Sequence, residues 1–432
     1  MGIPEKQAKP PALFLIKDQR FEAYQKPNGH LSLLRDALAG LIVALVAIPL
    51  GIGFAIASGL QPEQGIASGA LAGILGGFFG GSKYQVYGPT AAFIPLLSGI
   101  TSQYDTPFLI LASIIAGLLI VLMGILRWGK YFAHIPFSVT VGFTVGIAMS
   151  IALGQMPDTL GSTFSLSHHP IEKIQQLGAI LMQPNLFALG LAILSFLIIR
   201  FSYKTSVFIP GPLIAILISV FLNQSLFPDQ MIPLLADKFG PVGGQILKVT
   251  LPALGERSVW MLISPVLSIV FIASLESVLS ARMADRLANN STPFAPNREL
   301  LGQGIINTLV PVLNGFPCTG AFARTATNIK AGAMSPAASL FQGVLILILT
   351  FCFIPFIGKI PMACIGGLLI YVAIHMVKME EIQHVVKQGS FHGFLMLYTA
   401  LVTLLTDLFI AVSSATAIFY IYQAIIKKSR SS

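Results

Sequence analysis

The chain has 432 residues, of which 55% are hydrophobic and only 10% are charged, whereas a soluble domain carries about a quarter charged residues. So few charges cannot cover a water-soluble surface, which excludes a soluble enzyme. The net charge of +9 fits the cytoplasmic excess of Lys and Arg in membrane proteins better than nucleic-acid binding. With 40 Gly and 27 Pro, which membrane helices tolerate, the composition predicts an all-α polytopic membrane protein.

The predicted spans follow one another along most of the chain. A bilayer core needs roughly 17–25 predominantly apolar residues per helix. Stretches of that length without Asp, Glu, Lys or Arg cover 37–62, 64–82, 84–104, 106–126, 131–157, 174–199, 205–228, 258–275, 300–323, 331–358, 360–377, 388–406 and 408–426. A further element near 320–333, where Arg324 and Lys330 interrupt a helical pattern, brings the prediction to fourteen transmembrane segments.

The placement of basic residues supports an even number of crossings. Both termini are rich in Lys and Arg, and such segments stay in the cytoplasm. With fourteen crossings, 20 of the 26 Lys and Arg residues fall inside and five outside, while Arg324 stays within the membrane. The predicted domains are a cytoplasmic N-terminal segment (1–36), a first seven-span repeat (37–228), an extracellular or periplasmic connection (229–257), a second seven-span repeat (258–426) and a short C-terminal tail (427–432).

The two halves of the chain each contain an interrupted helix. In the first half GGFFGGSKYQVYGPTAAF (76–93) leads from a glycine-rich helix end into a short apolar segment, and in the second half NGFPCTGAFARTATN (314–328) does the same. Because each half has an odd number of spans, the second repeat inserts with the opposite orientation. Interrupted helices at corresponding positions of inverted repeats indicate a transporter's binding site. We therefore predict half-helices at spans 3 and 10.

The starts of these half-helices indicate an anion site. Each helix N-terminus presents unpaired N–H groups and the positive end of the helix dipole, so two that face each other form an anion cradle. Arg324 adds a full positive charge in the second half-helix, and since a charge within the membrane is costly, it should face a cavity or an acidic partner. The alternative is that Arg324 serves only as a structural ion-pair partner.

Glu276 is the only carboxylate between Ser258 and Ala284. An acidic residue inside a membrane span predicts a functional role. Glu276 could accept a proton, bind Na⁺ or pair with Arg324. The alternative is a protonated packing residue, hydrogen-bonded to a neighbouring helix.

No catalytic or cofactor motif is recognised. The chain has no GxxxxGK[ST] phosphate-binding loop, and the glycines of 73–81 lie inside a hydrophobic span, where close helix packing explains them. Neither His nor Cys residues show metal-ligand spacing. The sequence therefore predicts no enzyme, no catalytic residue, no bound metal and no cofactor apart from a coupling H⁺ or Na⁺.

Several segments resemble the sulfate permease (SulP) family, also called solute carrier family 26. They are IPLGIGFAIASGLQPEQG (48–65), GGSKYQVYGPTAAF (80–93), IPFSVTVGFTVGIAMSIALGQ (135–155), NRELLGQGIINTLVPVLNGFPCTGAFARTATNIKAGAMSP (297–336) and TDLFIAVSSA (406–415). The resemblance covers nearly the whole membrane region and indicates the bacterial branch, which implies a bacterial inner (plasma) membrane. Members of this family carry sulfate, bicarbonate, chloride or a dicarboxylate.

The resemblance implies a core domain of spans 1–4 and 8–11 that moves against a gate domain of spans 5–7 and 12–14. The anion would lie between spans 3 and 10, beside Phe54, Thr90, Ala91, Ala92, Gly320, Ala321, Phe322, Ala323 and Arg324. Glu276 and Ser280 match the coupling-ion position of the bicarbonate-transporting branch. Phe322 departs from that branch, which has a small hydroxyl residue there, and the departure favours H⁺ over Na⁺ at Glu276.

The resemblance also implies a homodimer in the lipid bilayer. Family members commonly carry a cytoplasmic STAS domain after the last span, and the short tail is expected to contain none. The resulting hypothesis is a secondary active, H⁺-coupled transporter of sulfate, bicarbonate or a dicarboxylate. The alternatives are Na⁺-coupled bicarbonate uptake or anion exchange within the same family, a nucleobase permease, and a non-transporting membrane scaffold.

Overall fold

A computed structural model describes residues 18–25, 29–129, 136–162, 170–225, 232–290, 293–406 and 408–429. These residues are mostly helical. The α-helices, numbered in chain order, are α1 Gly29–Ala57, α2 Pro62–Phe79, α3 Ile94–Gln103, α4 Thr106–Ile125, α5 Phe137–Gly154, α6 Met156–Thr159, α7 Pro170–Met182, α8 Leu186–Thr205, α9 Gly211–Ser225, α10 Leu235–Phe239, α11 Ile263–Leu287, α12 Pro296–Val312, α13 Phe322–Lys330, α14 Ala337–Ile357, α15 Met362–Met376, α16 Met379–Lys387, α17 Ser390–Leu405 and α18 Leu408–Ser429.

Long apolar helices form the bulk of the molecule. Among the described residues, eight helices of at least 18 residues are apolar enough to cross a membrane. A helix suits a bilayer because it satisfies its backbone hydrogen bonds internally. The membrane-protein fold is thus confirmed, while the number of fourteen crossings stays a prediction.

Two helices extend beyond the stretches that lack charged residues. The eighth predicted span ends at residue 275, yet α11 continues to Leu287, and its last turns carry the partly exposed Arg282 and Asp285. Helix α1 begins at Gly29 and includes the exposed Arg35 before the first predicted span starts at residue 37. Membrane helices continue into water, so a window without charges gives only their central part.

The packing of the helices follows an internal repeat. In the seven-plus-seven scheme α2, α4, α5 and α8 correspond to α12, α14, α15 and α17. Helix α4 packs on α12 as α14 packs on α2, and α5 packs on α17 as α15 packs on α8. Each contact therefore has a counterpart with the two repeats exchanged, as a pair of intertwined inverted repeats requires.

The two interrupted helices meet in a two-stranded sheet. Strand β1 Tyr87–Gly88 pairs antiparallel with β2 Thr319–Gly320, with Tyr87 opposite Gly320. A 3-10 turn over Ala91–Phe93 and then α3 follow β1, and α13 follows β2. These short helices are the half-helices predicted for spans 3 and 10.

Parts of the predicted domains lie outside the described residues. These parts are 1–17 and 26–28 of the N-terminal segment, 130–135, 163–169 and 226–228 of the first repeat, 229–231 of the connection, 291–292 and 407 of the second repeat, and 430–432 of the tail.

Candidate functional site

Hydrogen bonds at one end of the β1–β2 pair join the two half-helices. Beyond β2, Ala321 N donates to Val86 O at 2.9 Å. The amide of Val86 in turn donates to Thr325 Oγ1 at 3.0 Å. Because the start of α13 bonds to the segment that precedes the first half-helix, the two N-termini are held close together.

Both half-helix starts leave their first N–H groups free of side-chain caps. Thr90 precedes the 3-10 turn and Ala321 precedes α13, and neither side chain accepts a hydrogen bond from the first turn. The first few N–H groups of a helix have no intrahelical acceptor. Two uncapped N-termini side by side are suited to bind an anion.

The exposure of the two starts differs. Thr90, Ala91 and Ala92 are buried, with exposed fractions of 8%, 7% and 1%. In the second half-helix Phe322 is partly exposed and Ala323 is exposed. The cradle is therefore open beside α13 and closed beside α3.

Arg324 lies at the centre of this crossing. Its side chain is buried, with an exposed fraction of 3%, and Nη2 donates to Pro89 O. The guanidinium lies so close to Gly88 that a Cβ there would be 2.5 Å from Nη1. Among the salt bridges of the described residues none involves Arg324. The structural ion pair considered from the sequence is therefore not formed as a direct contact among these residues.

Glu276 contacts the first half-helix instead of Arg324. Its Oε2 accepts a hydrogen bond from Thr90 Oγ1 at 2.8 Å. One turn further along α11, Ser280 is buried and its Oγ has no partner among the described residues. The acid is thus placed beside the anion cradle, joined to it through a hydroxyl group.

The remaining predicted site residues surround this centre. Phe54 is buried, with an exposed fraction of 5%, on α1, which packs against α13 and α3. Gly320 is buried next to Gln85, whose Nε2 would lie 2.1 Å from a Cβ at that position. The Phe322 ring lies 5.5 Å from Lys378 Nζ, at a cation–π distance. Phe322 thus contacts the segment between α15 and α16, which belongs to the gate.

The sequence did not reveal Glu299, a buried carboxylate next to β1. Oε2 accepts hydrogen bonds from Gly81 N and Tyr87 OH, both at 2.8 Å. Oε1 accepts from Gln85 Nε2 at 2.7 Å and from Ser277 Oγ at 2.5 Å. The signal in the sequence was an acidic residue directly before a predicted span. The spans were defined as stretches without charged residues, so Glu299 fell outside the ninth one.

Two further features bear on what the site can hold. Among the described residues no group of three or more His, Cys, Asp or Glu could hold a metal ion. A cavity of about 260 Å³ lies between α3, the start of α11 and Thr406, away from Arg324. Its lining carries no charged side chain, whereas Arg324 and Glu276 both lie at the crossing of the half-helices.

Comparisons with known proteins agree over most of the chain. A model described as the sulfate permease family matches residues 33–400. A Bacillus subtilis protein named "Putative sulfate transporter YvdB" is 37% identical over 408 residues, covering 93% of this chain and 76% of the relative. The bicarbonate transporter BicA of Picosynechococcus sp. is 24% identical over 388 residues, covering 87% and 68%.

Two solved structures share the fold. The transmembrane domain of a cyanobacterial bicarbonate transporter BicA has a TM-score of 0.76 at 24% identity, covering 88% of this chain and 97% of that chain. Murine Slc26a9, an anion transporter in the inward-facing state, has a TM-score of 0.81 at 16% identity, covering 91% and 68%. The family model and the 37% identical relative show that the chain belongs to the sulfate permease family, which consists of membrane anion transporters and not of enzymes.

Proposed function

We propose that the protein is a secondary active transporter of a small divalent oxyanion, with sulfate as the substrate and H⁺ as the coupling ion. The observation that carries this proposal is the pair of uncapped half-helix N-termini, held together by β1 and β2 with the buried Arg324 between them. Each helix N-terminus contributes about half a positive charge. Together with the guanidinium they amount to about two positive charges, which match sulfate.

Proton coupling follows from the position of Glu276. An ionised Glu276 would cancel part of the positive charge at the cradle, whereas a protonated one leaves it in full. A bound divalent anion therefore favours a proton on Glu276, and the proton favours the anion by the same free energy. Phe322 offers no oxygen at the start of α13, which supports H⁺ over Na⁺.

The competing substrates differ in charge and size. Relatives of this chain are named as sulfate and as bicarbonate transporters. A single negative charge would leave the cradle with excess positive charge when Glu276 is protonated. Bicarbonate with Na⁺, anion exchange without coupling, and a nucleobase substrate are therefore the outcomes against which sulfate is tested.

The test is uptake into proteoliposomes, with labelled sulfate, bicarbonate, fumarate and uracil measured side by side. Sulfate should accumulate when the outside is acidic and should not respond to a Na⁺ gradient. Uptake of bicarbonate driven by Na⁺, or sulfate exchange that ignores both gradients, would contradict H⁺-coupled sulfate transport. Uptake of none of the four would favour a scaffold.

Orientation and assembly complete the proposal. The excess of Lys and Arg in alternate loops and at both ends supports a cytoplasmic location of both termini in a bacterial inner membrane. The family resemblance implies a homodimer, with the core of each subunit moving against its own gate. Reporter fusions at each terminus test the orientation, and the mass of the detergent-solubilised protein tests the dimer.

A further inference from the structure

We propose that Glu299 is a positioning residue for anion binding, which fixes the first half-helix and α11 in one register. This inference rests on the proposed function, because it concerns the same cradle. Glu299 has no exposed surface, and its two oxygens accept the four hydrogen bonds described above. An ionised carboxylate has about four acceptor sites, so this donor set suits the charged form and satisfies it.

One side of the Glu299 network reaches the anion cradle. The Tyr87 ring is buried, with an exposed fraction of 1%, and its hydroxyl donates to Glu299 Oε2. Tyr87 lies in β1, and only Gly88 and Pro89 separate it from Thr90. Proline restricts the backbone of this short connection. A shift of Tyr87 would therefore be passed on to the half-helix start.

The other side of the network reaches the acid that we assign to proton coupling. Ser277 follows Glu276 on α11 and donates to Glu299 Oε1 at 2.5 Å. The side-chain amide of Gln85, two residues before Tyr87, donates through Nε2 to Ser277 Oγ at 2.9 Å and to Glu299 Oε1. Glu299 thus sets the rotation of α11 relative to β1, on which the hydrogen bond between Thr90 and Glu276 depends.

Glu63 supplies a control within the same chain. It lies in the first turn of α2, the counterpart of α12 in the other repeat. Glu63 is also buried, with an exposed fraction of 9%. Glu63 Oε1 accepts a hydrogen bond from Gly243 N at 2.7 Å, and Gly243 lies in a loop and not in a half-helix. The same Glu→Gln substitution can therefore be made at Glu299, whose hydrogen bonds lead to the cradle, and at Glu63, whose hydrogen bond does not.

The experiment compares Glu299→Gln, Tyr87→Phe and Glu63→Gln with the wild type. Sulfate affinity is measured by calorimetry on the purified protein, and hydrogen exchange is measured on amides of residues 81–93. Loss of a charged acceptor raises the sulfate Kd of Glu299→Gln about tenfold, and exchange in this segment becomes faster. Tyr87→Phe shows the same changes to a smaller extent, while Glu63→Gln changes neither.

The combined readouts separate positioning from general stability. If Glu299→Gln lowers the Tm no more and no less than Glu63→Gln and leaves affinity and exchange unchanged, Glu299 is only a packing residue. If Glu299→Gln does not fold, sulfate affinity and hydrogen exchange of Tyr87→Phe decide whether the network positions the half-helix. Wild-type protein that does not bind sulfate would contradict the proposed function, and the exchange data would still decide the role of Glu299.

Discussion

The two half-helices occupy equivalent places in the repeats but offer different chemistry. The first begins with the buried Thr90, Ala91 and Ala92, and the Thr90 hydroxyl donates to Glu276. The second carries Arg324, and its first turn contains the exposed Ala323. The repeated backbone thus brings the two N-termini together, while their different side chains suit them to different roles in the proposed mechanism.

This difference separates binding from coupling. The second half-helix supplies the full positive charge and the accessible surface, so changes there should alter anion affinity directly. The first half-helix is packed into the core and touches the acid, so changes there should act through packing or through the proton. Each substitution below is chosen to contradict or to refine that division.

The largest effect is expected for Arg324→Ala. Removing the guanidinium charge at the centre of the cradle should weaken sulfate binding about hundredfold, as measured by calorimetry. Arg324→Lys keeps the charge but loses the planar donor fork, so it should retain part of the affinity. Unchanged affinity in the alanine variant would make Arg324 structural and remove the charged part of the cradle.

A bulky residue should act differently on the two half-helices. Ala323 is exposed, so Ala323→Leu should block sulfate uptake while the Tm stays near that of the wild type. Ala92 is 1% exposed, so Ala92→Leu should overpack the core at about 1–3 kcal/mol and lower the Tm. Normal uptake by a stable Ala323→Leu variant would place the anion elsewhere.

A smaller effect is expected for Gly88→Ala. The new Cβ would lie 2.5 Å from Arg324 Nη1, and the flexible guanidinium can move aside only by changing its place at the cradle. We expect sulfate affinity to fall about fivefold. Gly88 also has a φ of +157°, so the Tm of Gly88→Ala is measured to report the backbone strain separately. Gly99→Ala on α3, where a Cβ meets nothing within 4 Å, controls for the added methyl group. Equal affinities for the two variants would mean that the exact position of Arg324 is unimportant.

The smallest effect concerns Asp18 in the predicted cytoplasmic N-terminal segment, which contacts Arg298 of the second repeat. Burial raises the pKa of Asp18, but its hydrogen bonds with Arg20 and Arg298 outweigh this and lower the pKa from 3.8 to about 2. A lowered folded-state pKa gives stability that is present above the unfolded pKa and is lost as the pH falls towards 2.

Asp18→Asn should therefore lower the Tm slightly at pH 7 and by less at pH 3, without changing sulfate affinity. The Tm of both proteins at the two pH values is the measurement. A difference in Tm that is larger at pH 3 than at pH 7 would contradict the stabilising role of the Asp18 carboxylate.

Sequence patterns predicted the half-helices but not the contacts that hold them. Gly-Pro segments before small residues are local signals, and they located α3 and α13. The pairing of Glu276 with Thr90 instead of Arg324 depends on how α11 rotates against β1, a relation between residues far apart in the chain. Glu299 was missed for a related reason: its burial depends on four hydrogen-bond donors, three from residues 81–87 and one from Ser277 on α11, which are far from it in the chain.

The central claim is that sulfate at the half-helix crossing and a proton at Glu276 bind together. Calorimetry of sulfate binding in buffers with different ionisation enthalpies measures the protons taken up with each anion. We predict uptake of about one proton per sulfate by the wild type near neutral pH. We predict that Glu276→Gln, which imitates the protonated acid, binds sulfate with no proton uptake. Wild-type binding without proton uptake, or uptake that persists in Glu276→Gln, would contradict the coupling of the two ligands at this site.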